Sequence, residues 1–315
     1  MKESNLLSGS LKFSVVIPVF NEADNLKTLH TRLTDVMSGL REPYEIIYVD
    51  DGSTDGSFQI LKELHQEDSR VKIISFTRNF GQHIAITAGL DHSKGENVIL
   101  MDADLQDKPE EIPKLLAKLR EGYDIVYGHR NQRQDSFFKK ITSKVYLSLL
   151  SKLTNETINP EISPFRIMTR RVVDYFNQFR ERSRFYGGLV AWLGFPYAIV
   201  PVEHSERFSG KTKYNLAGMV KLGIEGVISF SDVPLRIIGR FGILVSALSF
   251  IIGIYFLLVW IIHGIPTPGY TSMVVSIFFM GGIQLIVLGI ISRYIGSVHI
   301  EIKKRPLYII KDKIE

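Results

Sequence analysis

The chain has 315 residues, 45% hydrophobic and 23% charged, with 25 Gly, 12 Pro and no Cys, a composition that excludes collagen-like, disulfide-stapled and wholly disordered classes. The missing Cys also removes thiol catalysis and Cys-based zinc sites and suits a reducing compartment. A net charge of +5 is modest, and no nucleic-acid partner is expected from it.

Met1 to Ser10 is polar, and the apolar run Phe13 to Phe20 is short and lacks a basic flank, so no signal peptide is expected. Short runs rich in Val and Ile predict strands at Phe13 to Val19, Glu45 to Val49, Val71 to Phe76, Asn97 to Met101 and Asp124 to Tyr127. Helical patterns separate them. One is Asp107 to Glu111, with Pro109 and two acids in a first turn, Leu115, Leu116 and Leu119 behind, and Gly122 at the stop. This β-α-β alternation implies an open α/β sheet, in which ligands bind beyond the carboxyl ends of the strands.

The strand tips are therefore the place to look for chemistry. The first ends in Pro18-Val19-Phe20-Asn21-Glu22 and the second in Asp50-Asp51-Gly52-Ser53-Thr54-Asp55-Gly56. No Gly-x-x-x-x-Gly-Lys and no Gly-x-Gly-x-x-Gly follows them, which removes the usual phosphate-loop and dinucleotide readings. Carboxylates there suit ribose hydroxyls and base N–H groups. A plain turn, with a helix cap at Thr54 or Asp55, is the alternative for the second tip. The fourth strand ends in Met101-Asp102-Ala103-Asp104-Leu105-Gln106-Asp107. If that segment is extended, Asp102 and Asp104 point to one side about 7 Å apart. Two hard carboxylates and an amide oxygen suit Mg²⁺ or Mn²⁺.

Tyr214 to Phe230 carries Leu216, Met219, Val220, Gly223, Ile224, Val227 and Ile228 at spacings of three and four, an amphipathic helix. Phe241 to Ile262 and Thr271 to Ser292 contain no Asp, Glu, Lys or Arg. Each is longer than the roughly 20 residues that a helix needs to cross a membrane. The turn between them has no Lys or Arg, whereas Arg236 and Arg240 precede the pair and Arg293, Lys303, Lys304 and Arg305 follow it. The positive-inside rule then puts the N-terminal domain and the C-terminus in the cytoplasm. The expected division is 1–210 for the α/β domain, 211–235 for the interface helix, 236–295 for two spans and 296–315 for a basic tail.

Taken together, the tips of the first, second and fourth strands resemble family 2 glycosyltransferases of the GT-A fold. Arg207-Phe208-Ser209-Gly210-Lys211-Thr212-Lys213-Tyr214 is similar to the Arg-x-x-Gly-x-Ser-Lys-Tyr signature of the polyprenyl-phosphate branch, and the two spans resemble its bacterial, O-antigen-modifying type. The resemblance implies a Rossmann-like, predominantly parallel sheet. It further implies that Pro18, Phe20, Glu22, Val49 and Asp51 hold a nucleoside, with Asp102 and Ala103 at the ribose or donor sugar. Asp102, Asp104 and Gln106 would bind Mg²⁺ or Mn²⁺, and Arg130, Arg166, Arg207 and Lys213 would face the phosphates. Ser163-Pro164-Phe165-Arg166 stands where many relatives have Gly-Asp-Phe-Arg, so the family Asp is missing and Glu161 is a candidate stand-in. Arg133, Lys139, Lys140 and Lys144 form a basic stretch suited to anionic headgroups or to solvent.

The implied function is inverting transfer of a hexose, expected to be glucose from UDP-glucose, to undecaprenyl or a similar polyprenyl phosphate. The implied setting is an integral membrane protein of a bacterial plasma-type membrane, forming a homo-oligomer, with a tetramer as one option. GDP-mannose is the alternative donor. An inactive nucleotide-binding membrane scaffold is the alternative of another class. A processive polysaccharide synthase would carry Gln-x-x-Arg-Trp, a pattern that neither Trp192 nor Trp260 follows.

Overall fold

The computed structural model describes residues 11–130, 162–182, 189–190, 192–203, 233–263 and 269–315. These fall into two units: one is built on a sheet and includes Arg305–Glu315, and the other lies within Leu216–Lys304.

The sheet has eight strands: β1 (Phe13–Val19), β2 (Tyr44–Asp50), β3 (Val71–Phe76), β4 (Asn97–Leu100), β5 (Ile125–Arg130), β6 (Ile162–Thr169), β7 (Tyr197–Val202) and β8 (Ile310–Ile314). Their order is β7-β5-β6-β4-β1-β2-β3-β8. The four central strands β4, β1, β2 and β3 are parallel, as are β5 and β7, whereas β6 and β8 pair antiparallel with their neighbours. The first five strands match the expected ones within a few residues. Every residue of β1 and β2 is buried, which explains why neither shows apolar and polar alternation.

Helices α1 (Ala23–Gly39), α2 (Ser57–Glu67), α3 (Gln82–His92), α4 (Ile112–Leu119) and α5 (Arg170–Phe176) connect them. The predicted helix start at Asp107 to Glu111 is a 3₁₀ turn at Pro109–Glu111 leading into α4, whose Leu115, Leu116 and Leu119 are buried. Helix α3 packs so closely on β1 that a Cβ on Gly89 would lie 2.2 Å from Val16 Cγ1. Close helix-to-strand contact of this kind fixes where the N-terminus of α3 meets the strand tips.

Three strands were not foreseen. Residues 296–315, expected as a tail, instead continue a helix to Ile302 and then return as β8, which pairs with the edge of the sheet. Strand β6 holds Pro164 inside a strand. It is tolerated because β4 ends opposite Arg166, and the register with β5 shifts between Tyr127 and His129, so no regular ladder requires the missing N–H. The alternative cap at Thr54 or Asp55 is also corrected: α2 starts after Gly56. Asp55 nevertheless serves both helices: Oδ1 accepts the N–H of Ser57, the first residue of α2, at 3.0 Å, and Oδ2 accepts the Ala23 N–H in the first turn of α1 at 3.1 Å.

In the second unit, α6 (Val233–His263) and α7 (Tyr270–Ile302) contain both predicted spans. Their windows Leu235–Ile252 and Phe279–Ile302 have no buried residue among the described ones and are long and apolar enough to cross a membrane. Ile243 is 73% exposed and Leu285 71%. Apolar faces of this extent are unfavourable in water by about 25 cal/mol per Å². The amphipathic segment Tyr214 to Phe230 lies outside the described residues.

One buried titratable group predicts a pH effect. His30 Nδ1 lies 3.3 Å from Tyr48 Oη, and Nε2 lies 3.7 Å from Asp68 Oδ2. Burial pulls the His30 pKa below its ordinary value, against the opposing charge of Asp68. A depressed folded-state pKa means stability that is present above the unfolded value of about 6.5 and is lost as pH falls below it. Between about pH 7.5 and about pH 5.5, chemical denaturation should show a steeper loss of stability for the parent chain than for His30→Gln. Equal slopes would show that His30 is not the cause.

Candidate active site

The parallel strands end side by side. Val19 pairs with Asp50 and Asp50 with Ser75, while the Asp51 N–H donates to Val19 O at 2.8 Å and the Met101 N–H to Val16 O at 3.3 Å. The acidic tips of β1, β2 and β4 thus share one edge of the sheet. The loop after β1 is held by the loop after β2: Asn21, in the left-handed region at φ 57°, accepts the Thr54 N–H at 2.8 Å, and its own N–H donates to Ser53 Oγ at 3.0 Å. The Glu22 N–H donates to Ser57 Oγ at 3.0 Å. Phe20 is exposed, whereas Pro18 and Val49 are buried in the sheet and support the site from beneath.

The adjacent Asp50 and Asp51 divide their work. Asp50 accepts from the Ser53 N–H at 3.0 Å and from Ser75 Oγ at 2.8 Å, which ties β2 to β3. Asp51 accepts from the N–H groups of Phe80, at 2.6 Å, and Gly81, at 2.9 Å. Burial pushes the Asp51 carboxyl above the usual range, against the pull of those two donors. Gly52, at φ 71°, lets the chain turn against this loop, since a Cβ there would come 2.6 Å from the Arg78 carbonyl carbon.

The β4 tip differs from its extended expectation. The chain bends over 103–105, and Leu105 adopts φ 60°. A left-handed Leu is strained by about 1–3 kcal/mol, a feature that clusters at functional sites. The bend turns Asp102 toward α3, where it accepts from Gln82 Nε2 at 2.8 Å, and turns Asp104 back on its own loop, where Oδ1 accepts the Gln106 N–H at 3.1 Å. Asp104 and Ala103 are almost buried; Asp102 and Gln106 are half-buried.

Arg166 lies on β6 opposite Leu100, near the start of that loop. Its Nε donates to Pro164 O at 2.9 Å, and its guanidinium lies 5.1 Å from the Tyr127 ring centroid. Arg166 is thus a nearly buried cation on the strand that pairs with β4. Arg130 ends β5 opposite Val202 of β7. Lys108 Nζ donates to Glu203 Oε2 at 2.8 Å, placing the exit of β7, shortly before Arg207, beside the β4 loop. The Arg130 side chain, Arg133, Lys139, Lys140, Lys144, Glu161, Arg207 and Lys213 lie outside the described residues.

Sequence reasoning missed Thr77 to Gln82, the segment that contacts both Asp51 and Asp102. The signal was available: it is the tip of a third parallel strand, carrying Arg78, Asn79, Gly81 and Gln82.

The sequence model described as glycosyl transferase family 2 matches residues 14–176. An uncharacterized glycosyltransferase of Synechocystis is 42% identical over 304 residues, covering 96% of each chain. A prophage bactoprenol glucosyl transferase homolog of Escherichia coli K12 is 40% identical over 302 residues, covering 96% of this chain and 99% of that protein. The bactoprenol glucosyl transferase of Shigella phage SfII is 38% identical, covering 96% and 98%. Among solved structures, glucosyl-3-phosphoglycerate synthase of Mycobacterium tuberculosis, in complex with Mn²⁺, UDP and phosphoglyceric acid, aligns with a TM-score of 0.47 at 21% identity, covering 69% of this chain and 76% of that one.

Proposed function

The chain belongs to glycosyltransferase family 2, and on that premise we propose that it transfers glucose from UDP-glucose, with inversion, to the phosphate of undecaprenyl or a similar polyprenyl lipid. The observation that carries this reading is one of extent. The likeness to proteins named for bactoprenol glucosyl transfer runs over nearly the whole chain, taking in both the acidic strand tips and the two long apolar helices. An inactive scaffold is disfavoured because Asp51, Asp102, Asp104 and Gln106 all stand on the one edge.

In this reading Asp51, Phe20 and Glu22 hold the nucleoside and Asp102 the ribose or sugar. Asp104, Gln106 and Asp102 would hold Mg²⁺ or Mn²⁺. Among the described residues no group of three His, Cys, Asp or Glu forms a cage for a metal, which fits a cation that takes the rest of its shell from phosphate oxygens and water. When bound, such a cation neutralises the charge that develops on the departing diphosphate. Arg166, with Arg130, Arg207 and Lys213, holds the acceptor phosphate in line with C1 by charge-assisted hydrogen bonds.

The bond formed is phosphate oxygen to C1. The bond broken is C1 to the diphosphate oxygen, which leaves with the electron pair as UDP. A sugar hydroxyl would need a carboxylate to take its proton. A phosphate monoester has a second pKa of about 6 and is already mostly a dianion at pH 7. The chain can therefore carry Pro164 where many relatives carry Asp.

The charge pattern around α6 and α7 supports a cytoplasmic location for the sheet unit and the C-terminus. Self-association, as a tetramer or otherwise, is read out by mass in detergent.

The test is to incubate the full chain with Mg²⁺ or Mn²⁺, undecaprenyl phosphate and a panel of UDP- and GDP-sugars, followed by mass analysis of the lipid. A hexosyl phospholipid formed from UDP-glucose is expected. A product from GDP-mannose alone would select the alternative donor, and no glycosyl lipid across the panel would refute the proposal.

A further inference from the structure

Asp51 and Asp102 are both held by one short segment. The Phe80 and Gly81 N–H groups donate to Asp51 at 2.6 and 2.9 Å, and the Gln82 side chain donates to Asp102 at 2.8 Å. Gly81 sits at φ 99° with nothing within 4 Å of where a Cβ would stand. Little side-chain packing restrains the segment at that point, so its position must be set elsewhere.

The neighbouring contacts lead to the C-terminus. The segment leaves β3, whose outer neighbour is β8, and the pairing of these strands shifts register between Ser75 and Phe76. Irregularities of this kind re-aim the side chains beside them. The Thr77 N–H donates to Ile309 O at 3.1 Å. The Tyr308 ring stacks on Phe76 with centroids 5.2 Å apart and planes 18° from parallel, and Phe76 meets Phe80 edge-on at 5.6 Å. Tyr308 is anchored in turn: its hydroxyl donates to Asp91 Oδ2 at 2.8 Å, and Arg180 binds the same carboxylate through two nitrogens at 2.8 and 2.9 Å. Offset-stacked and edge-to-face pairs have preferred geometries, so a ring fixed at one end of such a series restricts the ring at the other.

We infer that Tyr308 is a positioning residue of the donor site, acting through Phe76 and Phe80 to hold two N–H groups on Asp51. The inference rests on the reading of Asp51 and Asp102 as donor-binding carboxylates. It gives the segment that leads into β8 a part in setting donor affinity. The acceptor phosphate is held by the basic residues, so acceptor binding should be indifferent to Tyr308.

The test uses the full chain in detergent with Mn²⁺, measuring UDP affinity by calorimetry together with kcat and the two KM values. Tyr308→Ala should weaken UDP binding and raise the UDP-glucose KM at least about fivefold, with kcat at saturating donor and acceptor KM within about twofold. Tyr308→Phe, which keeps the ring and loses its anchor on Asp91, should raise the donor KM by less than Tyr308→Ala does, with kcat and acceptor KM within about twofold of the parent. Ile314→Ala is the structural control: Ile314 pairs with Ile73 at the other end of β8 and packs against the core. It should lower the melting temperature and leave the donor KM alone. If Tyr308→Ala does not fold, Tyr308→Leu carries the same comparison. An unchanged donor KM in a folded Tyr308→Ala or Tyr308→Leu protein, or an equal rise in Ile314→Ala, overturns the inference while UDP still binds the parent. A parent chain that binds neither UDP nor UDP-glucose overturns it together with the donor-site reading.

Discussion

Asp104→Asn is expected to reduce glycosyl transfer at least about a hundredfold while the protein keeps its fold. The structural half of this expectation comes from the bend after β4. Asp104 supports that bend through Oδ1, which accepts the Gln106 N–H at 3.1 Å. An Asn presents an oxygen of the same size to the same donor, so the bend and its strained Leu105 can persist. What the substitution removes is the negative charge. Charge stabilisation by a bound divalent cation is worth several kcal/mol, and each 1.36 kcal/mol is tenfold in rate, which sets the hundredfold floor. A chelator should reproduce the loss in the parent chain, and added Mn²⁺ should restore the parent but not the variant. Initial rates and thermal melts on both proteins make the check. Near-normal turnover by a folded Asp104→Asn protein, with its metal dependence unchanged, would show that Asp104 does not serve a cation.

Legibility in the sequence followed burial. Strands β1 and β2 are buried at every position, so they are written as Val- and Ile-rich runs without a polar face, their few polar residues buried as well. Strand β7 alternates exposed and buried residues and contains Pro201, and β8 reads Ile-Lys-Asp-Lys-Ile, with charges that keep an edge from pairing further. Short, half-polar edge strands look like loops until their partner is known. The partner of β8 is β3, more than two hundred positions away in the chain, and no local pattern records a pairing at that range. One practical result follows: ending the chain before Arg236 would remove β8 as well as both apolar helices, so such a truncation does not isolate the role of the spans.

The acidic tips were legible for a different reason. A sheet of parallel strands presents its carboxyl ends together, so Asp51, Asp102 and Asp104 could be grouped from the strand pattern alone. What could not be read was the division of labour. Asp50 and Asp51 are adjacent and chemically identical, yet one ties β2 to β3 and the other receives the loop after β3. Only the Cα register distinguishes them. The left-handed Leu105 was equally invisible, because a Leu gives no signal for a conformation it rarely adopts.

Gly52→Ala is expected to raise the donor KM at least about tenfold. A Cβ at this position would lie 2.6 Å from the Arg78 carbonyl carbon and 2.8 Å from the Asn79 nitrogen. Both are backbone atoms, so the strain cannot be relieved by rotating a side chain; the loop itself must move. The φ of 71° adds a conformational cost of about 1–2 kcal/mol for any residue with a Cβ. Movement of Arg78 and Asn79 carries Phe80 and Gly81 away from Asp51, and a hydrogen bond to a charged group contributes about 1.5–3 kcal/mol. Without those donors Asp51 loses its orientation, and a misplaced carboxylate forfeits its charge-assisted contact to the donor, which corresponds to roughly tenfold or more in affinity. Strain and loop displacement can be separated with Gly56→Ala. Gly56 has φ 92° but open space where its Cβ would stand, so this variant shares the conformational cost without the collision. Both variants should melt at lower temperature than the parent, and only Gly52→Ala should lose donor affinity. A Gly52→Ala protein whose donor KM matches that of Gly56→Ala would show that the loop after β3 can shift without disturbing the donor site.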